Sequence, residues 1–276
     1  SFIFTIVLLP ITFFGTEHIL PGARSAALGN ASVTLQDTWS TLHNQAGLGF
    51  VRNITSGIYY ENRFLLKELS TRGAAVAIPL KTGTFGFSVN AFGYSLYREN
   101  KYNLSFAKAF SNMFSIGMAL DYLHTQLSEG NENYSAIVGE AGILIKIHKD
   151  LLLGAHLYNP TRSRLGKNTT ERIPTVMRLG INYSFSSRVM FVLETEKDLS
   201  QKPRFKAGIE YQPLPHFYLR AGISNNPILS TFGTGLQLRN FQIDLSATYH
   251  QALGVTPQLG LTYLVVKKEK TDRDDP

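Results

Sequence analysis

The stretch that decides the fold is FQIDLSATYH, residues 241–250. Phe241, Ile243, Leu245, Ala247 and Tyr249 alternate one for one with Gln242, Asp244, Ser246, Thr248 and His250. A repeat of two puts successive side chains on opposite faces of an extended chain, so the stretch reads as a strand with one apolar and one polar face. Working outward, the same pattern recurs in Phe205–Tyr211, Met177–Phe185 and Phe114–Tyr122. About fourteen such segments follow one another, near 54–63, 71–81, 83–92, 97–110, 112–127, 134–147, 150–158, 173–186, 188–197, 203–212, 216–224, 229–238, 240–250 and 257–266. Ordinary strands average about 5–6 residues. These are longer, and match the roughly 9–11 residues a tilted strand needs to cross a bilayer.

The connections alternate in length. Short turns at Lys81–Gly83, Ser111–Asn112, His148–Asp150, Ser186–Arg188, Pro213–Pro215 and Arg239–Asn240 are separated by longer polar loops. Short turns at one end and long loops at the other are the habit of outer-membrane barrels, the turns facing the periplasm. A soluble sheet would need a second apolar layer, and no amphipathic helix is present to supply one. Closure in lipid satisfies every backbone group and leaves no sheet edge. The expected fold is therefore all-β: a transmembrane antiparallel β-barrel of about fourteen strands over 53–266, with 19–52 as an N-terminal hatch in the lumen.

The polar face carries Asp121, Glu140, Arg178, Glu194, Glu196, Arg204, Lys206, Glu210, Arg220 and Asp244. A midplane Arg or Lys on the lipid face costs about 2–4 kcal/mol, so these charges are expected to face inward and pair across the lumen. Gly117, Gly142, Gly154, Gly180, Gly208, Gly222, Gly233 and Gly235 share that face and leave room for a lumenal occupant. Pro79 and Lys108 interrupt the pattern; they read as a periplasmic strand end and a snorkelling interfacial lysine.

Phe2–Phe14 is an uncharged apolar run, too short to span a bilayer as a helix. Residues 1–18 read as a truncated signal peptide, which directs the chain out of the cytoplasm and, as a barrel, to the bacterial outer membrane. Residues 267–276 (KKEKTDRDDP) read as a charged periplasmic tail. The formal charge of +7 is scattered, without a basic helix or stripe, so no nucleic-acid partner is expected. Outer-membrane lipid and lipopolysaccharide are the expected partners of dispersed positive charge, and the loop Asn159–Arg172 carries four cations that suit such phosphates. There is no Cys, and no metal-binding, nucleotide-binding or hydrolase motif, so neither cofactor nor enzyme activity is expected. A Ser/His/Asp set drawn from His124, His156 or His250 with Asp121 or Asp244 is the residual catalytic candidate.

Residues 20–50 are Gly/Ala-rich and weakly periodic. Gly22, Ala23, Arg24, Ser25, Ala26 and Gly29, then Asp37, then Asn44, Ala46, Gly47 and Leu48, resemble the N-terminal hatch of the outer-membrane long-chain fatty-acid transporter (FadL-like) superfamily. Within it the resemblance is to the PorV/PorQ branch of the Bacteroidota. Position 45 is Gln where that pattern has Pro. The resemblance implies a fourteen-strand barrel. It also implies one of two roles. The first is an accessory subunit of an outer-membrane machine (type IX secretion, gliding or barrel assembly) with a protein partner, as a plugged, charge-filled lumen suggests. The second is passive transport of hydrophobic small molecules such as fatty acids.

Overall fold

The computed structural model describes residues 21–128, 132–165 and 173–265; the signal-peptide segment, the charged tail and residues 166–172 of the basic loop lie outside them. Fourteen strands run in chain order: β1 Ile54–Asn62, β2 Ser70–Leu80, β3 Gly83–Gly93, β4 Tyr97–Phe110, β5 Phe114–Leu127, β6 Glu132–His148, β7 Leu151–Tyr158, β8 Val176–Ser186, β9 Val189–Asp198, β10 Arg204–Leu214, β11 Phe217–Ser224, β12 Leu229–Leu238, β13 Phe241–His250 and β14 Gly254–Val265. Each pairs antiparallel with its sequence neighbours, and β1 closes on β14 with Ile54 opposite Val265 and Glu61 opposite Gln258. The expected closed barrel of fourteen strands is what forms, so the wall has no free edge.

Alternation sorts the side chains as lipid requires. Leu104, Met118, Leu120, Leu179, Phe205 and Leu245 are exposed on the outside, an arrangement stable only against hydrocarbon. Aromatic residues bound this belt. Tyr102 and Phe110 on β4, Phe114 and Tyr122 on β5, and Phe241 and Tyr249 on β13 are each eight residues apart. That is roughly 26 Å along a strand at about 3.3 Å per residue, and less along the membrane normal once the strand tilts. Phe110 and Phe114 approach with ring centroids 6.0 Å apart at the periplasmic rim, as do Phe241 and Tyr263 at 4.9 Å. The belt and its girdles are those of a barrel in the bacterial outer membrane.

Strand lengths are uneven. β4 and β5 have 14 residues and β6 has 17, whereas β7 has 8. The β4–β6 wall thus rises above its neighbours on the extracellular side. Pro79 lies at the periplasmic end of β2, past the last residue paired to β1, where its missing N–H costs nothing. Lys108 faces outward near the same rim, its ammonium 5.6 Å from the Phe110 ring centre.

Candidate functional site

The lumen is filled by two short helices, α1 (Ala23–Ala27) and α2 (Ser40–His43), and a 3-10 segment, Gln45–Phe50. None of this segment joins a strand ladder; it is held by side chains and close packing. The chain reverses at Gly22 and Gly29, both at positive φ (125° and 68°), a conformation that glycine adopts without Cβ strain. Thr231 Oγ1 bridges the second reversal, donating to the Ala27 carbonyl (2.9 Å) and accepting from Gly29 N–H (3.0 Å).

The barrel makes room by omitting side chains. A Cβ on Gly208 would stand 2.7–2.8 Å from Leu28, and one on Gly154 would stand 2.8 Å from the Val33 carbonyl. A Cβ on Gly222 would run into Gly29, on Gly233 into Ala27, on Gly180 into Val33, on Gly142 into Asn44 and on Gly117 into Gln45 and Ala46. Seven of the eight inward glycines named from the sequence therefore sit under the hatch. Gly235 does not: its space holds the Arg220 guanidinium and Asp244, so that glycine accommodates an ion pair.

Every hatch residue singled out in the sequence is placed in this packing. Ser25 Oγ donates to the Gly22 carbonyl (2.8 Å), and Ala23 faces Gly260. Asp37 accepts from Trp39 N–H (3.0 Å) and pairs with Arg24 (3.3 Å). Asn44 donates to Val33 O (2.7 Å) and accepts from Ala46 N–H (3.2 Å). Gly47 turns closely over Ser40 and Leu35, Ala46 packs on Leu144 and Leu152, and Leu48 on Ala77 and Ala107. Gln45, standing where the resembled pattern has Pro, donates its amide to Glu140 (2.6 Å).

The ten lumen charges all point inward and fall into three linked groups. Glu210 joins Arg24 of the hatch (2.8 Å) to Arg220 (2.6 Å), which reaches Asp244 (2.7 Å). Glu194 accepts from Ser32 and Val33 N–H (2.7 Å each) and pairs with Lys206 (2.8 Å) and Arg178 (3.7 Å). Lys206 and Arg204 share Glu196 at 2.6 and 3.3 Å. Arg178, fully buried, also donates to the His43 carbonyl and to Ser32 Oγ (3.2 Å). Glu140 accepts from His156 (2.8 Å) and from Lys101 (2.8 Å), which also holds Asp121 (2.7 Å). Buried charges persist when paired and hydrogen-bonded in this way. Sequence reasoning missed Lys101, as it missed Glu61, which takes hydrogen bonds from Tyr59 and Gln258 and pairs with Arg63. In the hatch, burial and then the nearby Arg178 cation push the His43 imidazole down to about 3, so it stays neutral while its Nε2–H donates to the Pro21 carbonyl (2.6 Å).

At the extracellular end the lumen changes character. Leu123, Tyr134, Ala136, Val138, Tyr158 and Val176 face inward, and Leu165 and Ile173 of the β7–β8 loop fold onto them. Asn159 ties this loop down: its amide donates to Ile173 O (2.9 Å) and accepts from Ser163 N–H (2.8 Å). The mouth is thus closed by an apolar cluster that packs next to the Asp121–Lys101–Glu140 group, the Lys101 ammonium lying 4.9 Å from the Tyr158 ring centre.

This architecture is similar over nearly its whole extent to solved outer-membrane channels. A deletion mutant of the monoaromatic hydrocarbon channel TodX superposes with a TM-score of 0.71 at 12% identity, covering 90% of this chain and 98% of that one. CymD, also a monoaromatic hydrocarbon channel, gives 0.70 at 12% identity, covering 91% and 99%. A FadL homologue from Pseudomonas aeruginosa gives 0.66 at 11% identity, covering 90% and 99%. The fold is that of the FadL- and TodX-type channels. Neither a protein-family model nor a curated protein sequence matches the chain.

On this FadL/TodX-type frame the candidate catalytic histidines separate. His124 faces outward with Ser135 (3.0 Å), on the opposite face of β5 from Asp121. His156 lies between Glu140 and Arg178, and His250 accepts from the Ala252 and Leu253 N–H groups in the β13–β14 turn. No Ser/His/Asp set forms from the residues named.

Proposed function

We propose that this barrel is a passive outer-membrane transporter of hydrophobic small molecules. The observation that carries the reading is a closed barrel on the frame of solved hydrocarbon channels whose lumen is filled by a hatch outside the strand ladder. Above the hatch, Val138, Tyr158, Leu165, Ile173 and Val176 form a buried apolar cluster, with Leu123 packed against it, that closes the extracellular end of the lumen, a surface compatible with an apolar solute. The structural neighbours TodX and CymD are monoaromatic hydrocarbon channels, which supports the class of solute. Solute entering past this cluster meets the Lys101 group and the hatch, so passage requires the hatch to shift. A plug held by side chains rather than by strand pairing is suited to that.

The PorV/PorQ-like role, an accessory subunit docked to a secretion, gliding or assembly machine, rests on the hatch motif and the plugged, charge-filled lumen and takes second place. Uptake separates the two. Cells of a diderm host lacking its own hydrocarbon channel are given radiolabelled toluene or oleate. With this protein assembled, initial uptake rises above that of cells without it. Cross-linking the hatch to the wall returns uptake toward background. No rise with a correctly assembled barrel would overturn the proposal.

A further inference from the structure

The outside of a barrel is convex, yet this one carries a cavity of about 1010 Å³ on its lipid face, across β6–β12. It follows one row of cross-strand neighbours. Ile143 opposes Ala155, Ala155 opposes Leu179, Leu179 opposes Thr195, and Thr195 opposes Phe205, while Ala207 opposes Leu193 and Ile223. Two physical causes meet. On the outside, the small residues Ala155, Thr195 and Ala207 are flanked by Leu, Ile and Phe. On the inside, Gly154 and Gly180 lack side chains and the wall rests on Val33 of the hatch. Wall and plug together make the groove, and its exposed lining is overwhelmingly apolar.

The groove reaches the extracellular rim at Asn225–Leu229. Lys197 stands on the same outward face as Thr195, two residues nearer that rim, or roughly 7 Å along the strand. Its Nζ donates to the Gln201 carbonyl, and Lys202 is exposed beside it. Arg162 and Arg164 are exposed on the preceding extracellular loop. The nearby carboxylates are engaged: Glu196 with Lys206 and Arg204, and Asp198 with Ser200 N–H (2.8 Å).

We infer that this groove is a binding site for the phosphorylated, multiply acylated lipid of the outer leaflet, its acyl chains in the groove and its phosphates on Lys197 and Lys202. An apolar cleft beneath a cationic rim has the chemistry of such a lipid from end to end. The site is independent of transport, which runs through the lumen.

The test is native mass spectrometry of the detergent-purified barrel with bis-phosphorylated lipid A. Dephosphorylated lipid A and phosphatidylethanolamine are the comparators. Bis-phosphorylated lipid A is retained through detergent exchange in preference to both. Each of Lys197→Gln and Lys202→Gln lowers retention about fivefold, the equivalent of roughly 1 kcal/mol per surface cation. Ala207→Trp, which fills the groove, abolishes retention with heat-modifiable mobility unchanged. Should that variant fail to assemble, the lysine variants and the dephosphorylated comparator still decide. Equal retention of phosphatidylethanolamine, indifference to the lysine changes, or a second copy or foreign protein seated over the groove would overturn the site.

Discussion

Arg24 of the hatch and Glu210 of β10 form a two-pronged ion pair, Nε and one terminal nitrogen reaching the two carboxylate oxygens at 2.9 and 2.8 Å. The residues are 186 positions apart in sequence. Bidentate geometry fixes orientation as well as distance, so the pair registers α1 against the wall. The same carboxylate holds Arg220, so removing it takes a partner from two cations at once, leaving Arg220 with Asp244 alone and Arg24 with Asp37 alone.

Glu210→Gln is therefore expected to loosen the hatch more than Asp37→Asn, which removes only the 3.3 Å contact to Arg24. Breaking a buried pair costs about 3–5 kcal/mol, and the part-exposed Arg24 reduces that here to about 1–3 kcal/mol. Hydrogen exchange across residues 23–50 and single-barrel conductance in a planar bilayer check it. Both rise for Glu210→Gln.

The glycine band yields a paired test. Gly208→Ala puts a methyl group within 2.7–2.8 Å of Leu28 backbone atoms and is expected to destabilise the seated hatch by about 1–3 kcal/mol. Gly139→Ala meets nothing within 4 Å and is expected to be neutral or stabilising by up to about 1 kcal/mol. Limited proteolysis of the hatch in the folded barrel distinguishes the two. Equal protection would contradict the packing described.

Acid is expected to favour release of the hatch through His43. Its pKa is held near 3 when seated, against an ordinary value of about 6.5 when released. Between these values the released state binds a proton that the seated state does not. Seating is therefore unaffected above pH 6.5 and weakens by about 1 kcal/mol per pH unit as pH falls toward 3. The steepness of hatch release in this window should exceed that of His43→Gln, whose remaining slope reports the other titrating groups.

Much of this molecule was legible in the sequence for a physical reason. Strands in lipid must alternate, and charge on the lipid face is costly, so Phe241–His250 announces both its geometry and its orientation. Where the environment stops enforcing that rule, the signal stops. Lys101 lies in Glu99-Asn100-Lys101, polar on both faces because β4 there rises toward water, and so its role between Asp121 and Glu140 could not be read. The partners of Arg24 depend on strand register, which no local pattern encodes. The hatch has small residues and no period, so its place was read from resemblance and from the glycines that accommodate it. The outer groove is a row taken one residue pair at a time from successive strands, visible only after closure.

If hydrophobic solutes pass only when the hatch moves, a single cross-link between hatch and wall stops them. Ala23 Cβ lies 3.5 Å from where a Cβ on Gly260 would stand, within the Cβ–Cβ range of a disulfide. The chain has no Cys of its own, so Ala23→Cys with Gly260→Cys gives a single possible bond between hatch and β14. Uptake of radiolabelled toluene is measured in the oxidised and reduced states of the same cells. The account predicts uptake at background when oxidised and full recovery on reduction. Uptake that is unchanged by the cross-link would contradict it.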